Sequence, residues 1–81
     1  MEQPIKIQFV NPNVLLVVNG MGVLKTIHTP FRVQVLEQVG IYKPGTYVIV
    51  EEVASAPGDK LLYIIGTKPY LHTHFVIKIH F

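Results

Sequence analysis

The chain has 81 residues, a formal net charge of +2 and no cysteine. This length accommodates one small domain, and the absence of cysteine excludes disulfides and thiolate metal sites. Only 15% of the residues are charged and 49% are hydrophobic, whereas about a quarter of the residues in a typical domain are charged. Since a small domain has a large surface relative to its volume, this balance predicts that a second copy or a protein partner covers part of the surface.

The beginning of the chain and its apolar runs predict a soluble, cytoplasmic protein. Met1–Lys6 contains an acid and is not followed directly by an apolar stretch, as it would be in a secretory signal. The longest uninterrupted apolar run, Val14–Val18, is too short to span a membrane. The lack of cysteine agrees with a reducing compartment, so we expect no membrane contact and a cytoplasmic location.

The first thirty residues predict a strand followed by a hairpin. Apolar residues occupy alternate positions in residues 5–9, which is the pattern of a half-buried strand, and a turn at residues 11–13 ends it. Two apolar runs then flank the Asn-Gly pair at residues 19–20, a pair typical of tight hairpin turns. The extra Met-Gly pair at residues 21–22 allows a longer loop or a bulge instead.

Residues 31–81 continue as short strands separated by turns that contain Gly or Pro. The alternation that resumes at Phe31 slips at Leu36, which predicts a bulge or a bend near Leu36-Glu37. The segment "LLYIIG" at residues 61–66 is apolar on both faces, so it should be a central strand or face a partner. In order, the segments read "FRVQVLEQVGI", "KPG", "TYVIVEEV", "ASAPGD", "KLLYIIG", "TKP" and a final segment that holds Tyr70, Phe75 and Ile77.

This order resembles an SH3-like small β-barrel. The resemblance covers residues 31–81 and implies about five strands, with residues 1–30 as an added N-terminal strand and hairpin. SH3-like barrels often place a single 3₁₀ turn before the last strand, and "PYLH" at residues 69–72 is the matching segment. The acidic and aromatic ligand motifs of peptide-binding SH3 domains are missing, so the resemblance implies a binding or scaffolding role without proline-rich peptide recognition. We predict one all-β domain over residues 1–81, a small barrel or a sandwich.

Two histidines stand one residue apart in "YLHTHF", residues 70–75. If residues 71–81 form one strand, His72 and His74 share a polar face exposed to solvent, and Phe75 lies on the opposite, apolar face. That alternation explains the two histidines without any ligand. Two imidazoles on one strand face, about 7 Å apart, can also converge on a metal ion, and a pH-responsive interface is a further alternative.

A metal site would need a third ligand. The candidates are His28, the carboxylate of Glu51 or Glu52, or a residue of a neighbouring chain. His80 is too far along an extended strand to join His74 within one subunit. A 3₁₀ turn in "PYLH" would remove the shared face of the two histidines, so we expect no resident metal and keep this pair as an alternative only.

Catalysis is not expected, and neither is a cofactor. Ser55 and Asp59, the chain's only serine and aspartate, more simply shape one loop through bonds to the backbone. Glu51 and Glu52 are neighbours in a predicted strand, so they point to opposite faces and do not converge on one bond. The glycine pair around Met21 opens no helix, unlike a phosphate-binding loop.

The sequence therefore predicts a non-catalytic interaction module that self-associates through apolar strand faces or edges. Aromatic content near a predicted turn indicates five contact residues: Tyr63, Tyr70, His72, His74 and Phe75. One alternative is a nucleic-acid-binding barrel with an aromatic and basic face, whose affinity should fall steeply with salt. That face would draw on Tyr42, Tyr47, Tyr63, Tyr70, Arg32, Lys43, Lys60 and Lys68. The other alternative is a metal-binding protein that uses His72 and His74.

Overall fold

The computed structural model describes residue 4 and residues 6–79. Within these residues the chain forms nine strands and one 3₁₀ turn, so the all-β prediction is confirmed. The elements are β1 (Lys6–Asn11), β2 (Val14–Val18), β3 (Leu24–His28), β4 (Phe31–Val35), β5 (Tyr47–Val50), β6 (Glu52–Ala56), β7 (Lys60–Ile65), β8 (Lys68–Leu71), the 3₁₀ turn (His72–His74) and β9 (Phe75–Val76). The described part of the chain contains no helix long and apolar enough to cross a membrane.

The strands form three antiparallel sheets of three strands each. The orders are β1-β2-β3, β5-β4-β9 and β6-β7-β8. Among the described residues, the hydrogen-bonded ladders do not close into a barrel. β7 is the central strand of its sheet, which confirms one of the two expectations for "LLYIIG".

The N-terminal sheet, β1-β2-β3, contains the predicted strand and hairpin. β2 ends at Val18 and β3 begins at Leu24, so the connection is the longer loop rather than a two-residue turn. The buried side chain of Asn19 organises this loop, because its Oδ1 accepts the N–H groups of Met21 and Val23, each at 2.9 Å. An amide oxygen that accepts two backbone donors replaces the hydrogen bonds that a tight turn would have made.

The predicted bend after the fourth strand is present, but the strand itself is shorter than "FRVQVLEQVGI". β4 ends at Val35, and residues 36–37 form a bend. The segment "TYVIVEEV" is likewise divided at Glu51, whose N–H donates to the carbonyl of Ile64 in β7 at 2.9 Å. The backbone thus passes from the β5-β4-β9 sheet to the β6-β7-β8 sheet at this residue.

Residues 71–81 do not form one strand, so that premise of the sequence analysis is wrong. The 3₁₀ turn lies at His72–His74, later than the expected "PYLH", and β9 has only two residues. The cause is tertiary, since Pro69 pairs with Ile64 of β7 and extends the β8 ladder to Leu71 before the chain can turn. His80 and Phe81 lie outside the described residues.

One buried cluster draws side chains from all three sheets. In β2, β4, β5 and β7, buried positions alternate with exposed or half-buried ones, as the pleat requires. The buried hydrophobic residues are Leu15, Val17, Val33, Val35, Val48, Val50, Val53, Leu61, Tyr63, Ile65, Phe75 and Ile77.

Candidate functional site

Two of the five predicted contact residues are core residues. Tyr63 is only 1% exposed and Phe75 is 6% exposed. The Tyr63 ring lies 5.7 Å from Phe31, edge to face, and 5.8 Å from Phe75, measured between ring centroids. Burial raises the pKa of the Tyr63 hydroxyl well above its usual range. Neither ring offers appreciable surface to a partner, and their role is to fill the core.

Tyr70 lies half-buried at the margin of the same aromatic cluster. Its ring contacts Tyr42 edge to face, with centroids 5.8 Å apart, and lies 6.3 Å from Phe75. It also packs against the backbone of Gly40. Of the predicted aromatic contact residues, Tyr70 keeps some exposure, so partner contact there stays a prediction.

His72 uses its side chain to cap a backbone group. The N–H of Leu61 donates to His72 Nδ1 at 3.0 Å, and the Leu61 carbonyl lies 3.2 Å from the same nitrogen. Accepting a hydrogen bond at Nδ1 requires the neutral tautomer with its proton on Nε2. The last residue pair of the β7–β8 ladder at this end is Leu62 with Leu71. At the next position the imidazole of His72, instead of its backbone, is the hydrogen-bond partner of Leu61.

His74 makes a different contact. Nδ1 of His74 lies 3.3 Å from Oε1 of Glu37. The backbone carbonyl of His74 accepts the N–H of Leu36 at 2.8 Å. Residues two apart in a 3₁₀ turn point in different directions, so His72 and His74 do not share a face. No group of three His, Asp or Glu side chains within the described ranges is placed to hold a metal ion.

Ser55 and Asp59, two of the residues considered for catalysis, line a cleft beside β1. Ser55 and Asp59 lie on the wall formed by the β6–β7 hairpin, and Lys6 and Gln8 lie on the β1 wall. The two walls are joined at one end, where the N–H of Val53 donates to the carbonyl of Pro12 at 2.8 Å. Among the described residues that line this cleft there is no histidine, so a serine–histidine pair is not formed there.

A surface that the sequence analysis did not single out lies on the outside of the N-terminal sheet. The central strand β2, "VLLVV", is apolar on both faces. Leu15 and Val17 are fully buried, whereas Val14, Leu16 and Val18 point to the opposite side and are half-buried. Antiparallel sheets with one wet face normally alternate apolar and polar residues, and β2 departs from that rule.

We call this surface the aliphatic face and define it as Val14, Leu16, Val18 and Leu24. Leu24 of β3 pairs with Val18 and is 62% exposed. Polar residues surround the aliphatic face, since the strand register places Lys6, Gln8, Thr26 and His28 beside it. The three strands contain no Asp or Glu. An apolar centre with a polar rim is the usual anatomy of a protein interface.

The signal for the aliphatic face was present in the sequence. Like "LLYIIG", the segment "VLLVV" has apolar residues at consecutive positions and is therefore apolar on both faces of a strand. The outward side of the β6-β7-β8 sheet has a similar character: Leu62 of β7 pairs with Ala54 and Leu71, and all three are half-buried. That side differs in carrying the carboxylate of Glu52, which pairs with Ile64.

The four tyrosines of the nucleic-acid alternative are divided among different environments. Tyr63 is buried, and Tyr42 packs against Tyr70. Tyr47 lies on the outward side of β5, where the Arg32 guanidinium is stacked 4.6 Å from its ring centroid. The exposed side chain of Ile49 pairs with Arg32 across the strands.

Comparisons with protein families, with curated proteins and with solved structures found no match to this chain.

Proposed function

We propose that this chain is a non-catalytic interaction module that self-associates through the aliphatic face. The observation that carries the proposal is the composition of β2, which presents Val14, Leu16 and Val18 to the outside of the molecule. These three side chains are absent from the set that packs against the core. Burying them against a second copy would remove apolar surface from water at little electrostatic cost, because the face itself carries no charge.

The size of the surface indicates how much of the chain takes part. Three strands of about five residues cover about 17 by 14 Å, whereas a standard interface buries about 800 Å² on each partner. The dimer must therefore cover neighbouring apolar residues as well. Met21 and Val23, in the loop that leads to Leu24, are 82% and 46% exposed and are the nearest in sequence.

We infer further that residues 31–79 have an SH3-like arrangement. Three observations support this. The divided strands β5 and β6 belong to two different sheets, the 3₁₀ turn precedes β9, and β9 pairs with β4 on the side opposite β5. In this proposal the five strands are β4, β5 with β6, β7, β8 and β9, and the N-terminal sheet is the added part that carries the self-association surface.

The test places a charge in the middle of the aliphatic face. We expect the unmodified protein to be a dimer by native mass spectrometry and by light scattering over a concentration series. Leu16→Glu should make it monomeric, because an isologous interface would bury two unpaired carboxylates. The matched control is Leu36→Glu, since Leu36 is an exposed leucine in the bend after β4, away from the face.

Two results would contradict the proposal. A monomeric unmodified protein at the highest soluble concentration would remove self-association altogether. A Leu16→Glu variant that remains folded and dimeric would move the interface elsewhere, and Leu62→Glu would then test the outward side of the β6-β7-β8 sheet.

Nucleic-acid binding is the second candidate function, and the Arg32–Tyr47 stack favours it. An exposed guanidinium over an aromatic ring, next to the exposed Ile49, is a surface on which an unpaired base can stack. The test is fluorescence anisotropy with a labelled oligothymidylate at low and moderate salt. Binding that weakens steeply with salt and is lost in Tyr47→Ala would support this function, and no binding at low salt would eliminate it.

A further inference from the structure

A small cleft between two turns is lined by two tyrosines and one lysine. One wall is the turn at residues 40–42, and the other is the β7–β8 turn around Gly66. Tyr42, Tyr70 and Lys68 line it, and its volume is about 230 Å³. This cleft is distinct from the aliphatic face and from the histidine contacts described above.

Two glycines line the cleft beside the two phenols. Gly40 has a φ of +57°, and a Cβ there would lie 3.1 Å from the Tyr70 hydroxyl oxygen. Gly66 has a φ of +58°, and a Cβ there would lie 3.6 Å from the Tyr42 hydroxyl oxygen. Both positions require a backbone conformation that glycine adopts without strain. Each phenol therefore packs against a bare segment of backbone on the facing turn.

The first wall is held in place by the backbone. Val39 and Tyr42 exchange two hydrogen bonds of 3.1 and 3.0 Å, so Gly40 and Ile41 form a closed turn between them. The edge-to-face contact between Tyr42 and Tyr70 then joins this turn to β8. A site built on fixed backbone and interlocked rings is preorganised, which lowers the entropy lost when a ligand binds.

The polar groups of the cleft favour an anion. Lys68 supplies the positive charge, the two hydroxyls can donate hydrogen bonds, and no Asp or Glu occurs among the described lining residues. Ile41, which is 84% exposed, supplies apolar surface on the wall formed by the first turn. The volume is below the range of about 300–1,000 Å³ typical of small-molecule sites, so it suits one small group rather than a whole cofactor.

We propose that this cleft binds a carboxylate that adjoins an apolar side chain, namely the C-terminal end of a peptide. The Lys68 ammonium and the tyrosine hydroxyls hold the carboxylate, and Ile41 contacts the apolar side chain. This inference does not depend on self-association, because none of the residues that carry it belongs to the aliphatic face.

The experiment is an NMR titration with N-acetyl-leucine, and N-acetyl-leucine amide is the matched neutral probe. We expect the carboxylate probe to shift the ring signals of Tyr42 and Tyr70 and the amide signals of Gly40 and Gly66. The amide probe should shift them far less. Lys68→Gln should weaken binding of the carboxylate about tenfold or more, which corresponds to a charge-assisted interaction of about 1.4 kcal/mol or more.

Control variants separate a site effect from a general charge effect. Lys60→Gln removes an exposed lysine at the start of β7, outside the cleft, and should leave binding unchanged. Lys68→Arg keeps the charge and should retain most of the affinity. A folded Lys68→Gln protein that binds as well as the original, equal shifts with the amide probe, or equal binding of inorganic phosphate would each overturn the proposal.

Discussion

β2 and β7 are the central strands of two different sheets, and both are apolar on the two faces. Their inward sides are alike, since Leu15 and Val17 in β2 and Leu61 and Tyr63 in β7 are all buried. Their outward sides differ in what surrounds them. The outward side chains of β7 have small or aliphatic side chains and one carboxylate as cross-strand neighbours. The outward side chains of β2 have mainly polar neighbours, one of which is a lysine.

A central position in a sheet explains only part of why a strand is apolar on both faces. Pairing on both edges satisfies the backbone of β2 and of β7. It does not explain why the outward side chains are aliphatic as well. The aliphatic outward side chains are a property of the surface, and the proposed contact with a second copy rests on them.

The largest expected effect separates the two faces of β2 with two neighbouring leucines. Leu15→Ala should lower the free energy of unfolding by about 2–5 kcal/mol, because it leaves a cavity in the core. Leu16→Ala should cost no more than about 1 kcal/mol in dilute solution, where the outward side chain is only half-buried. Urea unfolding of both variants measures the difference.

Protein concentration sharpens this comparison. If a second copy covers the aliphatic face, the loss of unfolding free energy caused by Leu16→Ala should rise with protein concentration. Part of the loss caused by Leu15→Ala should be independent of concentration, because it arises in the core. Equal costs for the two variants at high dilution would contradict the assignment of Leu16 to the outside.

A pH series tests the inward face of β7. Because burial raises the pKa of Tyr63, the folded protein keeps this proton at a pH where an unfolded tyrosine, with a pKa of about 10, has lost it. The contribution of Tyr63 to stability should be fully present below about pH 10 and fall above it by up to about 1.4 kcal/mol per pH unit. Tyr63→Phe should remove this part of the alkaline slope in urea unfolding.

The unmodified protein and Tyr63→Phe must be compared at each pH, since other groups also titrate there. The difference between their free energies of unfolding isolates the hydroxyl. A difference that stays constant from pH 9 to above pH 10 would mean that the Tyr63 hydroxyl is solvated in the folded protein.

The smallest expected effect concerns the start of β7, where the His72 side chain accepts the N–H of Leu61. His72→Ala should cost about 0.5–1.5 kcal/mol, because the N–H of Leu61 loses its acceptor. His74→Ala should cost less than about 0.5 kcal/mol, because its contact with Glu37 is exposed. Amide hydrogen exchange at Leu61 should accelerate in the first variant only, and the reverse order would disprove the capping role.

Much of the strand layout follows from local patterns, because turns at Asn, Gly and Pro divide alternating segments. The longer loop after β2 was one of two open alternatives, and only the buried Asn19 side chain decides between them. The crossing between sheets at Glu51 and the delayed 3₁₀ turn depend on pairing with Ile64. These pairing partners are distant in sequence, and the alternation of apolar and polar residues along a strand does not predict them.

The burial and direction of the predicted contact residues also depend on features that alternation does not encode. In "LLYIIG" no polar residue marks which face is wet, so the sequence could not tell that the Tyr63 ring points inward. Phe75 was expected on an apolar face, and it is in the core. His72 and His74 were expected side by side on a strand, but the 3₁₀ turn directs them to Leu61 and Glu37.

The contact between Gly40 and Tyr70 has a consequence for how this sequence can vary over evolutionary time. A side chain at position 40 would have to share space with the phenol at position 70, besides adopting an unfavourable backbone conformation. Positions 40 and 70 should therefore change together or not at all among descendants of this chain. A lineage that shortens residue 70 would gain freedom at residue 40 and lose one wall of the cleft in the same step.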